Sequence, residues 1–436
     1  MPLLYSLAAY LLAPWYCAAL LWRGLRERGY WRHFGERFGR GAPLAQPPVW
    51  LHAASVGEVQ AAGALIDALR ERIPGLPLLV TTTTPAGAER ARARYGPLGV
   101  EVRHVPLDLP STVARFFART RPRLAVILET EIWPNLYARC ARERVPLALA
   151  SARISPRSLK RYRLIGGLIH RALASCTLIG AQTAEDAARL AQLGATPAQL
   201  LITGNLKFDF ALPADTLVKG HALRARYAPR RPLWVAGSTH PGEEAAALEA
   251  HRHARRASPG ALLVLAPRHA PRFAEVAALL TREGVRFARR SGGEAVGEDT
   301  EVLLLDAMGE LLDFYAAADV AFVGGSLVPR GGHNLLEPAA LGVPILTGPH
   351  HTSAVDIARR LIERGAVLVV HDAHSLGERL AELLSSPEAR TALGGRARGV
   401  LEENRGAASR LCELLAPLIA QGGPGEGPGA PRRASA

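Results

Sequence analysis

The 436-residue chain is predicted to form two doubly wound α/β domains preceded by a membrane-anchoring helix. Short apolar runs alternate with amphipathic segments, which is typical of a parallel sheet covered by helices on both faces. A stretch with three prolines, residues 209–232, interrupts this alternation and is interpreted as an interdomain linker. The length is also too great for one ordinary core and suits two domains with appendages.

The N-terminal segment, residues 3–22, contains no charged side chain. It is long enough to cross a bilayer. The alternative is a buried apolar helix, since Pro14 and Tyr16 interrupt the run. Positive charge on one flank of such a segment predicts that this flank is cytoplasmic. Six arginines supply that charge: Arg23, Arg26, Arg28, Arg32, Arg37 and Arg40.

Residues 1–40 are therefore predicted to be a single membrane anchor with a basic flank, and the catalytic domains are expected on the cytoplasmic side. The basic flank is expected to lie at the level of the lipid headgroups through Tyr30, Trp31, Phe34 and Arg37.

The composition is basic, with a net charge of +14 and a pI near 10.3. The excess is scattered arginine without basic–aromatic interleaving, so an anionic lipid surface is expected as a partner and nucleic acid is not. The four cysteines are widely spaced, which indicates neither a disulfide framework nor a zinc site and fits a reducing compartment.

The first domain is predicted at residues 41–208 and the second at residues 233–420, followed by a disordered glycine- and proline-rich tail at residues 421–436. Two such domains are expected to place a cleft between the carboxyl ends of their sheets. The predicted strands are residues 48–53, 78–80, 124–128, 146–150 and 178–181 in the first domain, and residues 233–236, 262–266, 302–305, 320–323, 343–346 and 367–370 in the second.

A glycine-rich loop follows the predicted strand at residues 320–323. Its bare backbone N–H groups and the start of the next helix are expected to face an anion, with Gly325 and Ser326 as candidate phosphate or sugar contacts. Glu337, near the helix start, suits ribose hydroxyls better than a phosphate. The alternative is a loop whose glycines merely turn the chain.

Three acidic residues in the first half follow predicted strands. Glu58 lies at a helix start, where the dipole is expected to lower its pKa and keep it ionised as a general base. The alternative is a helix-capping glutamate. Glu129 and Glu131 follow the strand at residues 124–128 and suit hydroxyl or cationic groups. Lys207 is expected to reach across the cleft to a negative charge, or else to be a surface lysine.

Other loops of the second half also follow predicted strands. Arg268, after Pro267, is placed to grip a phosphate or carboxylate. Met308, Gly309 and Glu310 follow the next strand and are candidates to hold a base ring. The sequence contains no P-loop lysine motif, no GxGxxG at a first strand and no regular metal-ligand spacing, so neither a cofactor nor a metal is expected.

Taken in order, these motifs resemble the 3-deoxy-D-manno-octulosonic acid (Kdo) transferases of lipopolysaccharide assembly, glycosyltransferase family 30. The resemblance runs from the apolar segment to about residue 415. It rests on HAASVGEV, ETEIWPN, SARIS, GNLKFD, GSTHPGEE, APRH, DAMGEL and GGSLVPRGGHNLLEPAALGVPILTGPH.

The resemblance implies a GT-B glycosyltransferase fold and an inverting, metal-independent transfer of Kdo from CMP-Kdo to a lipid A precursor at the inner membrane. It implies that Glu58 is the catalytic base and that Glu129 and Lys207 stabilise the transition state. The donor contacts that it implies are Pro267, Arg268, Met308, Gly309, Glu310, Asn334, Leu335, Leu336 and Glu337.

One segment departs from the family pattern, because the sequence after Pro349 reads HHTSAVDI where an aromatic, asparagine-containing turn is expected. The departure at Thr352, Ser353 and Ala354 affects the donor-sugar side of the pocket. Two alternatives stay open: another nucleotide-sugar transferase acting on a membrane lipid, and a membrane-tethered binding protein without turnover.

Overall fold

The computed structural model describes residues 3–352 and 355–421. Two positions of the departing segment, Ser353 and Ala354, and the predicted tail from residue 422 lie outside the described residues. The chain divides into two compact units. The first contains the residues up to Asp209 together with those from Asn404, and the second is Phe210–Glu403.

The described residues form two parallel sheets of seven strands each. The strands are β1 (Val49–His52), β2 (Leu78–Thr82), β3 (Glu101–His104), β4 (Leu124–Leu128), β5 (Leu147–Ala152), β6 (Leu178–Ala181), β7 (Leu200–Ile202), β8 (Leu233–Thr239), β9 (Leu262–Pro267), β10 (Phe287–Arg289), β11 (Val302–Leu304), β12 (Val320–Val323), β13 (Ile345–Thr347) and β14 (Leu368–Val369).

Helices connect these strands, with short 3₁₀ turns at several ends. The α-helices are α1 (Leu3–Arg26), α2 (Val56–Arg72), α3 (Pro85–Tyr95), α4 (Pro110–Thr120), α5 (Pro134–Arg142), α6 (Pro156–Leu164), α7 (Gly166–Ala174), α8 (Ala184–Gln192), α9 (Thr216–Tyr227), α10 (Glu243–Ala254), α11 (Phe273–Arg282), α12 (Leu311–Ala317), α13 (Leu336–Leu341), α14 (Val355–Glu363), α15 (Ala373–Ser385), α16 (Pro387–Glu403) and α17 (Ala407–Gln421).

The sheet of the first unit has the order β3-β2-β1-β4-β5-β6-β7, and all of its pairings are parallel. Successive residues of β1 enter opposite cores: Leu51 belongs to one hydrophobic cluster and Trp50 to another. This two-sided burial is what a parallel sheet requires. The strand order reverses between β1 and β4, and ligand sites of open α/β sheets lie at the carboxyl ends of such strands.

The sheet of the second unit repeats this plan in the order β10-β11-β9-β8-β12-β13-β14, again all parallel. Its reversal lies between β8 and β12. Trp234, Leu263 and Phe322, on three adjacent strands, are fully buried in one cluster. The loops that follow β8 and β12 therefore emerge side by side.

Two segments differ from the predicted domain boundaries. Helix α9 lies inside the predicted linker, and it packs against α12 of the second unit. Helix α17 lies at the end of the predicted second domain, but it packs against α2 of the first unit. The Asp209 carboxylate holds the start of α17, since it accepts hydrogen bonds from the backbone N–H groups of Gly406 (2.5 Å) and Ala408 (2.6 Å).

The basic flank contains one buried arginine. Arg37 is 1% exposed and donates to the Thr83 carbonyl at 2.9 Å. The expectation that Arg37 lies at the lipid headgroups is wrong, because its guanidinium is inside the first unit. Burial lowers the pKa of this guanidinium.

Candidate active site

Glu58 is the third residue of α2, which begins after β1. The helix is capped by Ser55, whose hydroxyl oxygen accepts from the Glu58 N–H at 3.3 Å and whose O–H donates to Glu58 Oε1 at 2.8 Å. Glu58 Oε2 accepts from the Ala54 N–H at 2.8 Å. Ser55 therefore acts as an N-cap, while the Glu58 carboxylate reaches back to the N–H of the residue before that cap. The carboxylate is half-buried and held in one orientation.

The expected direction of the Glu58 pKa is corrected by this environment. Burial, followed by the nearby Glu129 carboxylate, raises the pKa of Glu58 from 4.5 to about 7. The hydrogen bonds from Ala54 and Ser55 act in the opposite direction but are outweighed. A carboxyl group with this pKa accepts a proton efficiently near neutral pH.

Glu129 follows β4 in a backbone conformation that is rare for a residue with a side chain, with φ of 56°. Strain of this kind collects at functional sites. The Glu129 carboxylate Oε1 lies 2.6 Å from Lys207 Nζ, and both side chains are about three-quarters buried. Lys207 thus pairs with a carboxylate of its own unit.

Glu131 makes hydrogen bonds that do not involve Glu58, Glu129 or Lys207. Its Oε2 accepts from the Trp133 indole N–H at 3.0 Å, and its carbonyl accepts from the Tyr137 hydroxyl at 3.0 Å. Burial raises the pKa of Glu131, and the nearby Glu129 carboxylate adds to the effect. The three glutamates and Lys207 therefore form one polar cluster at the carboxyl edge of the first sheet.

In the second unit, the N–H groups of the glycine loop are already engaged. The fully buried Glu243 carboxylate accepts from the N–H groups of Gly325 (2.7 Å), Ser326 (3.0 Å) and Leu327 (2.9 Å). The same carboxylate accepts from the His240 N–H at 3.0 Å. The expectation that these N–H groups are bare and face an anion is wrong here. The Glu243 carboxylate already accepts their hydrogen bonds, in the place that a bound anion would take.

The Ser326 hydroxyl is also engaged. It donates to the Val323 carbonyl at 2.6 Å and accepts from the Gly348 N–H at 2.8 Å. Ser326 is fully buried. We therefore do not retain Gly325 and Ser326 as candidate phosphate or sugar contacts.

Three histidines gather near this loop. His240 Nε2 lies 2.8 Å from His333 Nε2, and the two rings stack with centroids 5.1 Å apart. The His269 ring meets the His240 ring edge-on at 5.5 Å. Burial, then the charge of Arg268, lowers the pKa of His333 to about 4. The described residues 3–352 and 355–421 contain no group of three or more His, Cys, Asp or Glu side chains suited to a metal ion.

The predicted donor residues lie at the same edge of the second sheet. Arg268 is exposed directly after β9, and its N–H donates to the Thr239 carbonyl at 3.0 Å. Met308 is exposed after β11, and Gly309 has a φ of 92°. Glu310 accepts from Arg290 at 2.8 Å.

The segment around α13 is organised by Asn334. Its Oδ1 accepts from the Leu336 N–H at 3.1 Å, and its Nδ2 donates to Glu337 Oε1 at 3.1 Å. The side chains of Leu335 and Leu336 are buried, as is Pro267. The predicted contacts of these three residues are therefore limited to their backbones.

Two organising residues were not identified from the sequence. Glu243 stands in the GSTHPGEE motif at the start of a helix, but the motif alone assigned it no role. Asp108 carries no motif signal, yet its carboxylate accepts from the N–H groups of Asn135 (3.0 Å) and Leu136 (2.8 Å). Its carbonyl accepts from Asn135 Nδ2 at 2.6 Å. Asp108 thus holds the start of α5, which follows Glu131.

Comparison with known proteins decides the family. Residues 32–210 match the family described as "3-Deoxy-D-manno-octulosonic-acid transferase (kdotransferase)", and residues 289–400 match "Glycosyl transferases group 1". The 3-deoxy-D-manno-octulosonic acid transferase of Haemophilus influenzae is 42% identical over 394 residues, which cover 89% of this chain and 92% of that protein. The chain belongs to the 3-deoxy-D-manno-octulosonic acid (Kdo) transferase family. It is accordingly a glycosyltransferase.

A second relative agrees with this assignment, and a solved structure agrees with the fold. The Kdo transferase of Bordetella pertussis is 42% identical over 428 residues, covering 94% of this chain and 98% of that protein. The UDP-GlcNAc 2-epimerase of Neisseria meningitidis is 13% identical, with a TM-score of 0.58, and covers 85% of this chain and all of that one. The second likeness concerns the fold alone. The prediction of two Rossmann-like domains of the GT-B type is confirmed.

Proposed function

We propose that the protein transfers Kdo from CMP-Kdo to a lipid A precursor during synthesis of the lipopolysaccharide core, at the cytoplasmic face of the inner membrane. The observation that carries this proposal is the half-buried Glu58 carboxyl group, whose pKa is raised to about 7 beside Glu129. Its support is membership of the Kdo transferase family over most of the chain.

The chemistry assigned to Glu58 is general-base catalysis. An acceptor hydroxyl oxygen attacks the anomeric carbon of Kdo, and its proton passes to the Glu58 carboxylate. The bond between that carbon and the phosphate oxygen of CMP breaks, and CMP leaves with the electron pair. A single in-line displacement inverts the anomeric centre. The hydrogen bonds from Ala54 and Ser55 orient the carboxylate for this step.

The Lys207–Glu129 pair is assigned an electrostatic role. Lys207 compensates the Glu129 charge, which otherwise acts on Glu58 at close range. A preorganised cation in a partly buried site stabilises developing negative charge more strongly than the same cation in water. The reaction is proposed to be metal-independent, with Lys207 and Arg268 among the groups that supply positive charge.

The donor site is assigned to the carboxyl edge of the second sheet. Arg268 is proposed to bind the phosphate or carboxylate of CMP-Kdo, both of which are anionic. The Met308–Gly309–Glu310 loop is proposed to hold the base, and Glu337, oriented by Asn334, to accept from ribose hydroxyls. The backbones of Pro267, Leu335 and Leu336 complete the proposed site.

The proposal is tested by transfer assays with the purified full-length protein. We expect transfer from CMP-Kdo to a lipid A precursor and none from UDP-sugars. Glu58→Gln is expected to lower the rate at least about a hundredfold. Glu71→Gln, an exposed glutamate on the same helix, is the matched control and is expected to leave the rate unchanged.

Three outcomes count against the proposal. Use of a UDP-sugar in place of CMP-Kdo favours the alternative transferase. If a folded Glu58→Gln protein transfers Kdo at a near wild-type rate, Glu58 is not the general base, and that role is assigned to Glu129 or Glu131 instead. CMP binding without turnover of either donor contradicts the proposed transfer.

A further inference from the structure

Helix α1 is long and apolar enough to cross a membrane. It nevertheless rests on the first unit along one stripe. The residues of that stripe are spaced by three or four, which places them on one helix face. They are half-buried or buried and mostly small: Ser6, Ala9, Ala13, Cys17, Leu20 and Gly24.

Polar bonds attach the N-terminal end of α1 to the first unit. The Tyr5 hydroxyl donates to Asp108 Oδ2 at 2.8 Å, and the Ser6 hydroxyl donates to Asn135 Oδ1 at 2.9 Å. One turn later, the Tyr10 hydroxyl donates to Ser111 Oγ at 2.9 Å. Asp108 is buried, so Tyr5 reaches into the unit itself.

The C-terminal end of α1 is attached to the same unit. The Trp31 indole N–H folds back to donate to the Leu21 carbonyl at 3.0 Å. Shortly after, Arg37 is buried and donates to the Thr83 carbonyl. Both ends of the helix therefore lie against one folded unit.

This double attachment is incompatible with a bilayer crossing. A helix of 24 residues is about 36 Å long. If α1 crossed, the hydrocarbon core of about 30 Å would separate Tyr5 from the unit that holds the other end. We propose that α1 lies in the plane of the membrane interface, as a monotopic anchor on anionic phospholipid.

The outward face of α1 suits this placement. It carries large apolar side chains at the spacing of one face, among them Leu4 at 79% exposed and Trp15 at 78% exposed. Leu7, Leu11 and Trp22 extend this face. A helix that buries such a face lies at the boundary between headgroups and acyl chains.

Exposed arginines follow this apolar face directly. Arg23, Arg26, Arg28 and Arg32 are exposed at its C-terminal end, and Arg26 lies over the Trp22 ring at 5.0 Å. Guanidinium groups there are placed to meet anionic lipid headgroups. The length and apolarity of α1 fit a crossing and an in-plane helix equally well. The sequence alone therefore could not distinguish the two placements, and the crossing was predicted.

The in-plane anchor is also connected to the proposed active site. Asp108, which accepts from Tyr5, accepts from the Asn135 and Leu136 N–H groups as well. These residues begin α5, directly after the loop of Glu129 and Glu131. The bonds of Tyr5 and Ser6 thus place this loop beside the helix that meets the lipid, which is where an amphiphilic acceptor resides.

The inference rests on the proposed membrane association and not on the identity of the donor or acceptor. It is tested with full-length protein in vesicles of phosphatidylethanolamine and phosphatidylglycerol. Nitroxide labels are placed singly at Leu4→Cys, Leu11→Cys, Trp15→Cys and Trp22→Cys in a Cys17→Ala background, and their depth is measured by collision with oxygen and a nickel chelate.

We expect similar, shallow depths at all four positions. A profile in which Trp15→Cys is deepest and Leu4→Cys reaches the opposite surface overturns the proposal, as does a helix that stays in water at every position. Labelling of Leu3→Cys in the same background supplies the second measurement. A membrane-impermeant maleimide is expected to react only after spheroplasts are lysed, and reaction in intact spheroplasts contradicts the in-plane placement. Both measurements report the helix whether or not Kdo is transferred.

Discussion

Lys207 Nζ lies 2.6 Å from Glu129 Oε1, in a partly buried site where Glu129 in turn raises the pKa of Glu58. Lys207 is therefore placed to compensate the charge with which Glu129 acts on Glu58. Glu129 also has a backbone conformation that is rare for a residue with a side chain, with φ of 56°. The three residues are therefore expected to behave as a coupled group.

Replacing Lys207 with methionine is the direct test of this coupling. The substitution leaves Glu129 uncompensated, so the pKa of Glu58 is expected to rise further above its ordinary value. We expect the transfer rate at neutral pH to fall by roughly 10²–10³, with the acidic limb of the pH–rate profile moved to higher pH. Lys219→Met is the control, since Lys219 forms an exposed pair with Asp215 at 2.6 Å. If the acidic limb of the pH–rate profile of Lys207→Met lies at the same pH as in the wild type, the coupling is contradicted.

The pH dependence of the wild-type enzyme follows from Glu58 itself. Its pKa of about 7 means that the base is protonated, and inactive, in acid. We expect kcat/KM to rise about tenfold per pH unit below pH 7 and to level off above it. This limb is expected to be absent from the residual activity of Glu58→Gln. A flat wild-type profile between pH 5 and pH 8 excludes Glu58 as the titrating base.

The same pKa predicts a stability effect of known sign. Because folding raises the pKa of Glu58 above its ordinary 4.5, the contribution of this carboxyl to stability is complete below about pH 4.5. It is lost as pH rises through about 7. Denaturant titrations at about pH 5 and pH 8 are expected to show a smaller loss for Glu58→Gln than for wild type. If wild type and Glu58→Gln lose the same free energy of unfolding between these two pH values, the pKa of Glu58 is not raised in solution.

The fold was predictable where strands are buried on both faces. For the continuous apolar runs Leu124–Leu128 and Val320–Val323, the predicted first and last residues of the strand match those of the structure. Three strands were missed: Glu101–His104, Leu200–Ile202 and Phe287–Arg289. All three lie at sheet edges, where one-sided pairing and partial exposure permit polar or short sequences.

Long-range packing could not be read from local patterns. Helix α17 is amphipathic like its neighbours, and only the tertiary structure shows Leu411 and Leu415 in the cluster with Leu65 and Val80. The site shows the same limit. Motifs indicated Glu58 and Arg268 as candidate site residues. The pKa of Glu58, however, depends on its burial and on Glu129, and neither effect can be read from the residues next to Glu58 in the sequence.

The donor assignment predicts calorimetric losses in three single variants. Arg268→Ala, Asn334→Ala and Glu337→Ala are each expected to weaken CMP binding, by about 1.5–3 kcal/mol where a bond to a charged group is lost. Arg282→Ala removes an exposed arginine from α11 and is expected to bind CMP as wild type does. Unchanged CMP affinity in all three variants contradicts the placement of the donor.

The buried Glu243 carboxylate predicts the largest stability effect. Glu243→Ala leaves four N–H groups, those of His240, Gly325, Ser326 and Leu327, without their acceptor. Each unsatisfied buried donor costs about 1–3 kcal/mol, so we expect the four of them to lower the free energy of unfolding by roughly 4 kcal/mol or more.

The glycine loop is expected to lose its single conformation in this variant, and CMP affinity is expected to fall with it, although Glu243 is not among the proposed donor contacts. Glu249→Ala on the same helix removes an exposed carboxylate and serves as the control. Denaturant unfolding and CMP calorimetry of the two variants side by side test the prediction. Equal stability of Glu243→Ala and Glu249→Ala is incompatible with four hydrogen bonds to a buried carboxylate. A stable loop that still binds CMP fully in Glu243→Ala shows instead that the donor site does not depend on the conformation that Glu243 imposes.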